Sequence, residues 1–164
     1  MIIDKRVSGR IDGEFVVFLI GMRVNRWWLP HKWIRVASAM PRMLRELAQQ
    51  PDLGYLGGEA WFARTTILLS YWRSMDHLMG YAKMRNAEHL PAWRSFNKLV
   101  GTNGDVGIWH ETYRIQPGGY ESIYVNMMPF GLGKAGTLVD SVGKRETAQG
   151  RLADVSTAQN SATP

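Results

Sequence analysis

The first strong hydrophobic pattern in the chain predicts a β-strand that is apolar on both of its faces. The stretch Glu14–Val24 follows the turn-like pair Asp12-Gly13 and is apolar at most positions. Its alternate positions form the two sets Val16, Phe18, Ile20, Met22 and Phe15, Val17, Leu19. Because both faces must be covered, we expect helices on one side of the sheet and a second subunit or a ligand on the other.

The spacing after this strand predicts a helix followed by two strands. Apolar residues recur at three- and four-residue intervals over Leu29–Gln50, and Pro41 within this stretch predicts a kink or a division into two short helices. Gly54–Phe62 and Thr65–Trp72 have the composition of strands joined by a tight hairpin, with a weak point for a bulge at Gly57-Gly58.

The next elements complete a ferredoxin-like order. Ser74 is a good N-cap for a helix from Met75 to about Lys83, and a further helix is expected to end at Val100. Asp105–Ile115 is the last predicted strand of this unit. The resulting β-α-β-β-α-β order predicts an α+β fold of the ferredoxin-like, dimeric α+β barrel type.

The rest of the chain separates into an aromatic arm and a polar tail. Residues 117–132 contain the aromatic segment Tyr120–Phe130, which we expect to pack on the barrel or on its partner. The later residues are too poor in bulky apolar side chains to offset their ordering entropy by burial. We therefore predict one domain over residues 1–132, including the arm, and a disordered tail over residues 133–164.

The composition narrows the kinds of site and partner. The chain has no cysteine, which excludes disulfides, thiolate zinc sites and cysteine nucleophiles. No apolar run approaches the roughly 18 residues of a membrane span, and the N-terminus lacks the order of a secretory signal, so we expect a cytoplasmic protein without a membrane partner. The net charge of +6 is spread singly along the chain, so we expect no nucleic-acid partner. Seven Trp and nine Met favour an apolar pocket or interface.

His89 lies at the start of the predicted helix that ends at Val100. It shares one helix face with Trp93, Phe96 and Val100, at spacings of four, three and four residues. This setting suits an axial haem ligand, since haem needs one nitrogen donor and a flat apolar sleeve. The alternative is a hydrogen-bonded histidine without a chemical role.

His110 lies within the last predicted strand. Alternation puts it on the face of Ile108 and Thr112 and puts Glu111 on the other face, so we do not expect His110 and Glu111 to form one acid–base pair. Such an imidazole either has a structural partner or acts in acid–base chemistry. Arg23, near the end of the first strand, is a candidate for binding carboxylates such as haem propionates, and the alternative is a solvated basic rim.

Several stretches of the chain resemble a family of small bacterial and fungal proteins labelled monooxygenase-like, which includes a stand-alone oxygenase associated with fumagillin biosynthesis. The resemblance extends from about Gly9 to Leu132. The stretches that carry it are Tyr71–Ser74, Leu78–Ala82, His89-x-x-x-Trp93-x-x-Phe96, Val106–Tyr113 and Tyr120–Met127. This resemblance implies an oxidoreductase of the monooxygenase type.

The segment Trp72–Tyr113 is similar to the haem-binding half of aldoxime dehydratases, which are duplicated dimeric α+β barrels. By that similarity His89 would be the proximal ligand of the haem iron, and His110 would be the distal acid–base residue. A homodimer of this chain would have to supply the two halves that one dehydratase subunit contains.

These features together predict a monooxygenase-like enzyme that acts on a small hydrophobic metabolite in an apolar barrel pocket. In a haem-dependent enzyme the cofactor-binding residues are His89, Trp93, Phe96 and Arg23, and His110 is the acid–base residue. In a cofactorless oxygenase His110 stays the base and His89 is structural. The alternatives are a haem-dependent dehydratase and a non-catalytic protein that binds haem or another hydrophobic ligand, while a nucleic-acid binder would show strong salt dependence of binding.

Overall fold

A computed structural model describes residues 1–84 and 103–160 of the chain. The strands in this part are β1 Ile3–Arg10, β2 Phe15–Val24, β3 Tyr55–Trp61, β4 Ile67–Trp72, β5 Val106–Ile115, β6 Tyr124–Met127 and β7 Thr137–Asp140. The α-helices are α1 Pro30–Ala37, α2 Ala39–Gln49, α3 Met75–Lys83, the short α4 Leu132–Ala135 and α5 Ala148–Asn160, and 3₁₀ turns lie at Pro51–Leu53 and Gly143–Glu146.

The larger sheet is antiparallel, with the strand order β3-β4-β2-β5. The apolar strand β2 is central: it pairs with β4 on one side and with β5 along its whole length on the other. The chain order β2, α1 and α2, β3, β4, α3, β5 confirms the predicted α+β, ferredoxin-like fold. The helix predicted to end at Val100 lies outside the described residues.

The predicted break in the first helix is present, at a slightly earlier position. The division between α1 and α2 falls at Ser38, and Pro41 lies in the first turn of α2, where its missing N–H costs no hydrogen bond. The predicted irregularity in β3 is also present, because the register with β4 shifts between Tyr55 and Gly57 and Gly57 has a φ of 147°.

The tight hairpin predicted at Ala63-Arg64 is wrong. The β3–β4 connection spans residues 62–66, because residues 64–66 continue the antiparallel pairing of β4 with β2 beyond the end of β3. The N–H of Val24 donates to the carbonyl oxygen of Arg64 at 2.9 Å, and the N–H of Thr66 donates to that of Met22 at 2.8 Å.

Two apolar clusters fill the helix-facing side of the larger sheet. The α2–α3 cluster joins Val16 and Trp72 of the sheet with Leu47, Leu78 and Tyr81 of the helices. The α1 cluster joins the sheet residues Met22, Val24, Val106 and Ile108 with Trp33, Val36 and Ala37. The helices therefore cover both ends of this side.

The opposite side of the larger sheet is partly covered by the chain's own aromatic arm. Phe15 and Tyr71 of the sheet pack there against Leu132 and Tyr120. The ring centroids of Phe15 and Tyr120 are 5.0 Å apart in an edge-to-face arrangement. The arm thus packs on the sheet, as the aromatic pattern predicted.

A second sheet corrects the prediction of a disordered tail over residues 133–164. In its order β6-β1-β7, the strand β1 pairs with both of its neighbours, and α5 follows β7. These tail residues need few apolar contacts because they are held by polar ones: the buried Arg151 donates to Glu121 at 2.8 Å and to the carbonyl oxygens of Arg145 and Glu146. Residues 161–164 lie outside the described part.

Candidate functional site

His110 projects from β5 onto the helix-facing side of the larger sheet. It pairs with Ile20 of β2, and its ring centroid lies 5.9 Å from that of Phe18. Its neighbours on the same face of β5 are Ile108, which packs in the α1 cluster, and Thr112. The imidazole is exposed, so a ligand on this side of the sheet can reach it.

The row of residues that starts at His110 is otherwise apolar. Ile20, the buried Leu68 and Ala60 follow it across β2, β4 and β3. This row lies between the α1 cluster and the α2–α3 cluster along β2. A single imidazole on such a surface is well placed to donate or accept a proton at an apolar ligand.

A buried hydrogen-bond chain supports the row next to His110. The Ser70 hydroxyl donates to the carbonyl oxygen of Phe18 at 2.9 Å, and the indole N–H of Trp72 donates to the Ser70 hydroxyl at 3.1 Å. Ser70 and Trp72 are each 2% exposed. This chain holds β2 and β4 in register beneath Phe18. Thr112 was not among the predicted site residues, although its two-residue spacing from His110 places both side chains on one face of β5.

Glu111 lies on the other face of β5, as strand alternation predicted. It pairs with Leu19 of β2, and its carboxylate accepts a hydrogen bond from the hydroxyl of Tyr113 at 2.7 Å. Glu111 and His110 therefore do not form one acid–base pair.

Arg23 also lies on the face opposite to His110. Its neighbours Met22 and Val24 point into the α1 cluster, and Arg23 itself donates to the hydroxyl of Thr65 at 2.8 Å. The structure therefore does not bring Arg23 to the side of the sheet that carries His110. His89, Trp93 and Phe96 lie outside the described residues, and their predicted roles stay predictions.

Burial raises the pKa of two tyrosines of the larger sheet, Tyr55 and Tyr71. It raises the pKa of Tyr71 to about 12, beneath the aromatic arm. Burial, and then the charge of Glu59, also raises the pKa of Tyr55, which packs on Trp72 with ring centroids 5.7 Å apart. Neither phenol is suited to accept a proton near neutral pH.

The described part of the chain contains neither a cluster of metal ligands nor a membrane-spanning helix. Residues 1–84 and 103–160 contain no group of three or more His, Asp or Glu residues arranged to hold a metal ion. No helix within the same residues has both the length and the apolar character required to cross a bilayer.

Comparison with known proteins identifies relatives for most of the chain. The family described as Monooxygenase af470-like matches residues 15–132. Monooxygenase af470 of Aspergillus fumigatus is 28% identical over 139 residues, which cover 79% of this chain and 49% of the fungal protein. The chain thus spans about half the length of this curated relative.

A solved structure shares this fold at low sequence identity. The crystal structure of the aldoxime dehydratase OxdRE in complex with butyraldoxime superposes with a TM-score of 0.61 at 14% identity, covering 77% of this chain and 38% of the dehydratase chain. SnoaB, a cofactor-independent oxygenase from Streptomyces nogalater, matches more weakly, with a TM-score of 0.44 at 15% identity over 61% of this chain and 91% of SnoaB. Since the family match covers well over half of the sequence, the chain belongs to the Monooxygenase af470-like family.

Proposed function

We propose that this chain is a monooxygenase-like enzyme that binds a small hydrophobic metabolite on the helix-facing side of its larger sheet. The observation that carries the proposal is the position of His110, an exposed imidazole beside Phe18 and Ile20 on an apolar surface. Membership of the Monooxygenase af470-like family supports the reaction class. His110 would take a proton from the bound metabolite, or return one to it, and the apolar row would hold the metabolite and exclude water.

Haem is part of this proposal because the sequence resembles the haem-binding half of aldoxime dehydratases. The described residues fit one side of such a cofactor: the partly exposed apolar side chains of Phe18 and Ile20 lie beside a single imidazole, and the row of His110 carries no competing carboxylate. His89 would bind the iron, and Trp93 and Phe96 would flank the ring. When bound, haem would supply a Lewis-acidic or redox-active iron. His110 would hold or move the proton at its ring nitrogen in either case.

A homodimer completes the proposal. Two features support it: β5 is an edge strand of the larger sheet, and the aromatic arm packs around Phe15 and Tyr71, at one end of the face opposite to the helices. Tyr113, on that opposite face of β5, is 48% exposed. A second copy would cover the part of this face beside Tyr113, six positions along β5 from the residue paired with Arg23, and supply the second half of the barrel. Sedimentation velocity of the purified protein tests this assembly, and a monomer at micromolar concentration would contradict it.

Hemin titration of the purified protein tests the cofactor. We expect a sharp Soret band that His89→Ala abolishes and that the control His31→Ala, at an exposed position of α1, leaves unchanged. A Soret band that persists in His89→Ala excludes His89 as the ligand. Protein that takes up no hemin contradicts the haem-dependent form and leaves the cofactorless one, for which oxygen uptake with electron-rich phenols is the assay.

The role of His110 has its own readout. Hydrogen cyanide must lose a proton before it binds ferric haem as cyanide, and a nearby base accelerates that step. We expect His110→Ala to keep the Soret band and to slow cyanide binding by roughly 10²-fold or more, the range of a lost general base. An unchanged cyanide-binding rate would remove His110 from the proposed acid–base role. In the cofactorless form, the same variant is expected to lose oxygen uptake by a similar factor.

A further inference from the structure

Two loops meet at the end of the larger sheet that is farthest from Phe15. One is the β2–α1 loop, residues 25–29, and the other is the β3–β4 connection, residues 62–66. Arg64 joins them: its guanidinium donates to the carbonyl oxygens of Val24 at 3.1 Å and Asn25 at 3.2 Å. The two loops are therefore held side by side.

These loops carry three large aromatic side chains that face solvent. Phe62 is 72% exposed, Trp27 67% and Trp28 58%. The Trp27 backbone is held, because its carbonyl oxygen accepts a hydrogen bond from the Trp33 indole at 3.1 Å, and the rings of Trp27 and Trp28 pack edge to face with centroids 6.2 Å apart. Exposure of so much aromatic surface is unfavourable in water and marks an interaction surface. We call Trp27, Trp28 and Phe62 the aromatic end.

The charge around the aromatic end is predominantly positive. Within residues 23–32, 62–66 and 103–105 the cationic side chains are Arg23, Arg26, Lys32 and Arg64, and the one carboxylate is Asp105. Arg26 and Lys32 share that buried carboxylate, at 2.8 and 3.8 Å. Arg23 and Arg64 instead donate to a hydroxyl and to carbonyl oxygens, so their charges are not neutralised by an acid within the described residues.

We propose that the aromatic end docks the protein on an anionic lipid surface. Indole rings favour the boundary between headgroups and acyl chains, and arginine side chains beside them are attracted by anionic headgroups. The two arginines that no acid neutralises favour a surface that carries negative charge. This proposal replaces the expectation from the sequence that no membrane takes part, because docking on a bilayer surface requires no spanning segment.

Flotation of the full chain with phosphatidylcholine vesicles, with and without phosphatidylglycerol, tests the proposal. We expect binding to the anionic vesicles that weakens at high salt. The triple variant Trp27→Ser, Trp28→Ser, Phe62→Ser is expected to weaken vesicle binding by roughly tenfold or more, because it removes the apolar side chains that docking would bury in the bilayer. Arg23→Gln is expected to weaken binding about fivefold, which corresponds to about 1 kcal/mol for one cation near the surface.

The control is the double variant Met128→Ser, Val142→Ser, which removes comparably exposed apolar side chains, 59% and 66% exposed, outside these two loops. It is expected to bind as the unmodified protein does. Absence of binding to anionic vesicles, or equal losses in the control and the triple variant, would overturn the proposal. If the unmodified protein does not bind vesicles and the triple variant is a monomer where the unmodified protein is a dimer, the aromatic end is a subunit contact instead. Arg23→Gln and the change of lipid charge keep the test valid even if the triple variant folds poorly.

Discussion

The buried hydrogen-bond chain next to the candidate site makes a quantitative prediction. Ser70→Ala removes the acceptor of the Trp72 indole N–H and the donor to the Phe18 carbonyl oxygen, at 3.1 and 2.9 Å. Because Ser70 and Trp72 are each 2% exposed, water cannot replace the lost partner. A buried donor left without an acceptor costs about 1–3 kcal/mol, so we expect the free energy of unfolding to fall by about 2 kcal/mol.

A double-mutant cycle isolates the part of this cost that comes from the indole. In a Trp72→Phe background no indole N–H remains, so Ser70→Ala should cost only the bond to Phe18, about 1 kcal/mol. The expected coupling between the two positions is therefore about 1 kcal/mol. The packing lost by Trp72→Phe itself is present in both arms of the cycle and cancels.

Urea unfolding of the four proteins, followed by far-ultraviolet circular dichroism, measures these differences. Fluorescence is unsuitable as the sole probe because one arm of the cycle removes a tryptophan. A cost for Ser70→Ala within about 0.5 kcal/mol of zero, or an equal cost in both backgrounds, would refute the argument that a buried, unpaired indole N–H dominates.

Two further predictions concern backbone packing and pH. Gly21→Ala is expected to destabilise the protein by several kcal/mol in urea unfolding, because an added Cβ would overlap the carbonyl oxygen of Thr66 and lie 2.7 Å from the indole nitrogen of Trp109. Gly80→Ala lies in α3, where nothing is within 4 Å of the new Cβ, and it should instead stabilise the protein by about 0.5–1 kcal/mol. Equal effects of the two substitutions on the free energy of unfolding would contradict this prediction. Burial raises the pKa of Tyr71 to about 12, so its neutral form contributes stability that is fully present below about pH 10 and is lost as the pH rises towards 12. Tyr71→Phe should therefore flatten the fall of the free energy of unfolding over that range, and parallel curves for the two proteins would refute this.

The local sequence pattern was sufficient for the elements of the larger sheet. The apolar residues on both faces of Phe15–Val24 reflect a strand whose two faces are both covered. The helix Met75–Lys83 begins after Ser74, whose hydroxyl accepts a hydrogen bond from the N–H of His77 as an N-cap. Strand alternation separated His110 from Glu111. These features depend on neighbours within a few residues, which is why they can be read from the chain itself.

The smaller sheet could not be predicted in this way. β1 pairs with β6 and β7, which lie more than a hundred residues further along the chain, and neither end of the chain has a strong apolar pattern. Its stability depends on strand pairing and on the polar contacts of Arg151, which only form once the distant segments meet. A composition that is poor in apolar residues therefore predicted disorder where the fold supplies hydrogen bonds.

The sequence alone determined the order of the strands of the larger sheet and of the described helices between them, and the alternation of side chains along those strands. It did not determine which face of β5 lies beside which face of β2, because that depends on the register between two strands about ninety residues apart, and a slip of one residue exchanges the faces. The tertiary register placed His110 opposite Ile20 and Arg23 opposite Gly107, on different sides of the sheet. It thereby decided that His110 faces the helices and that Arg23 belongs to the surface beside the aromatic end.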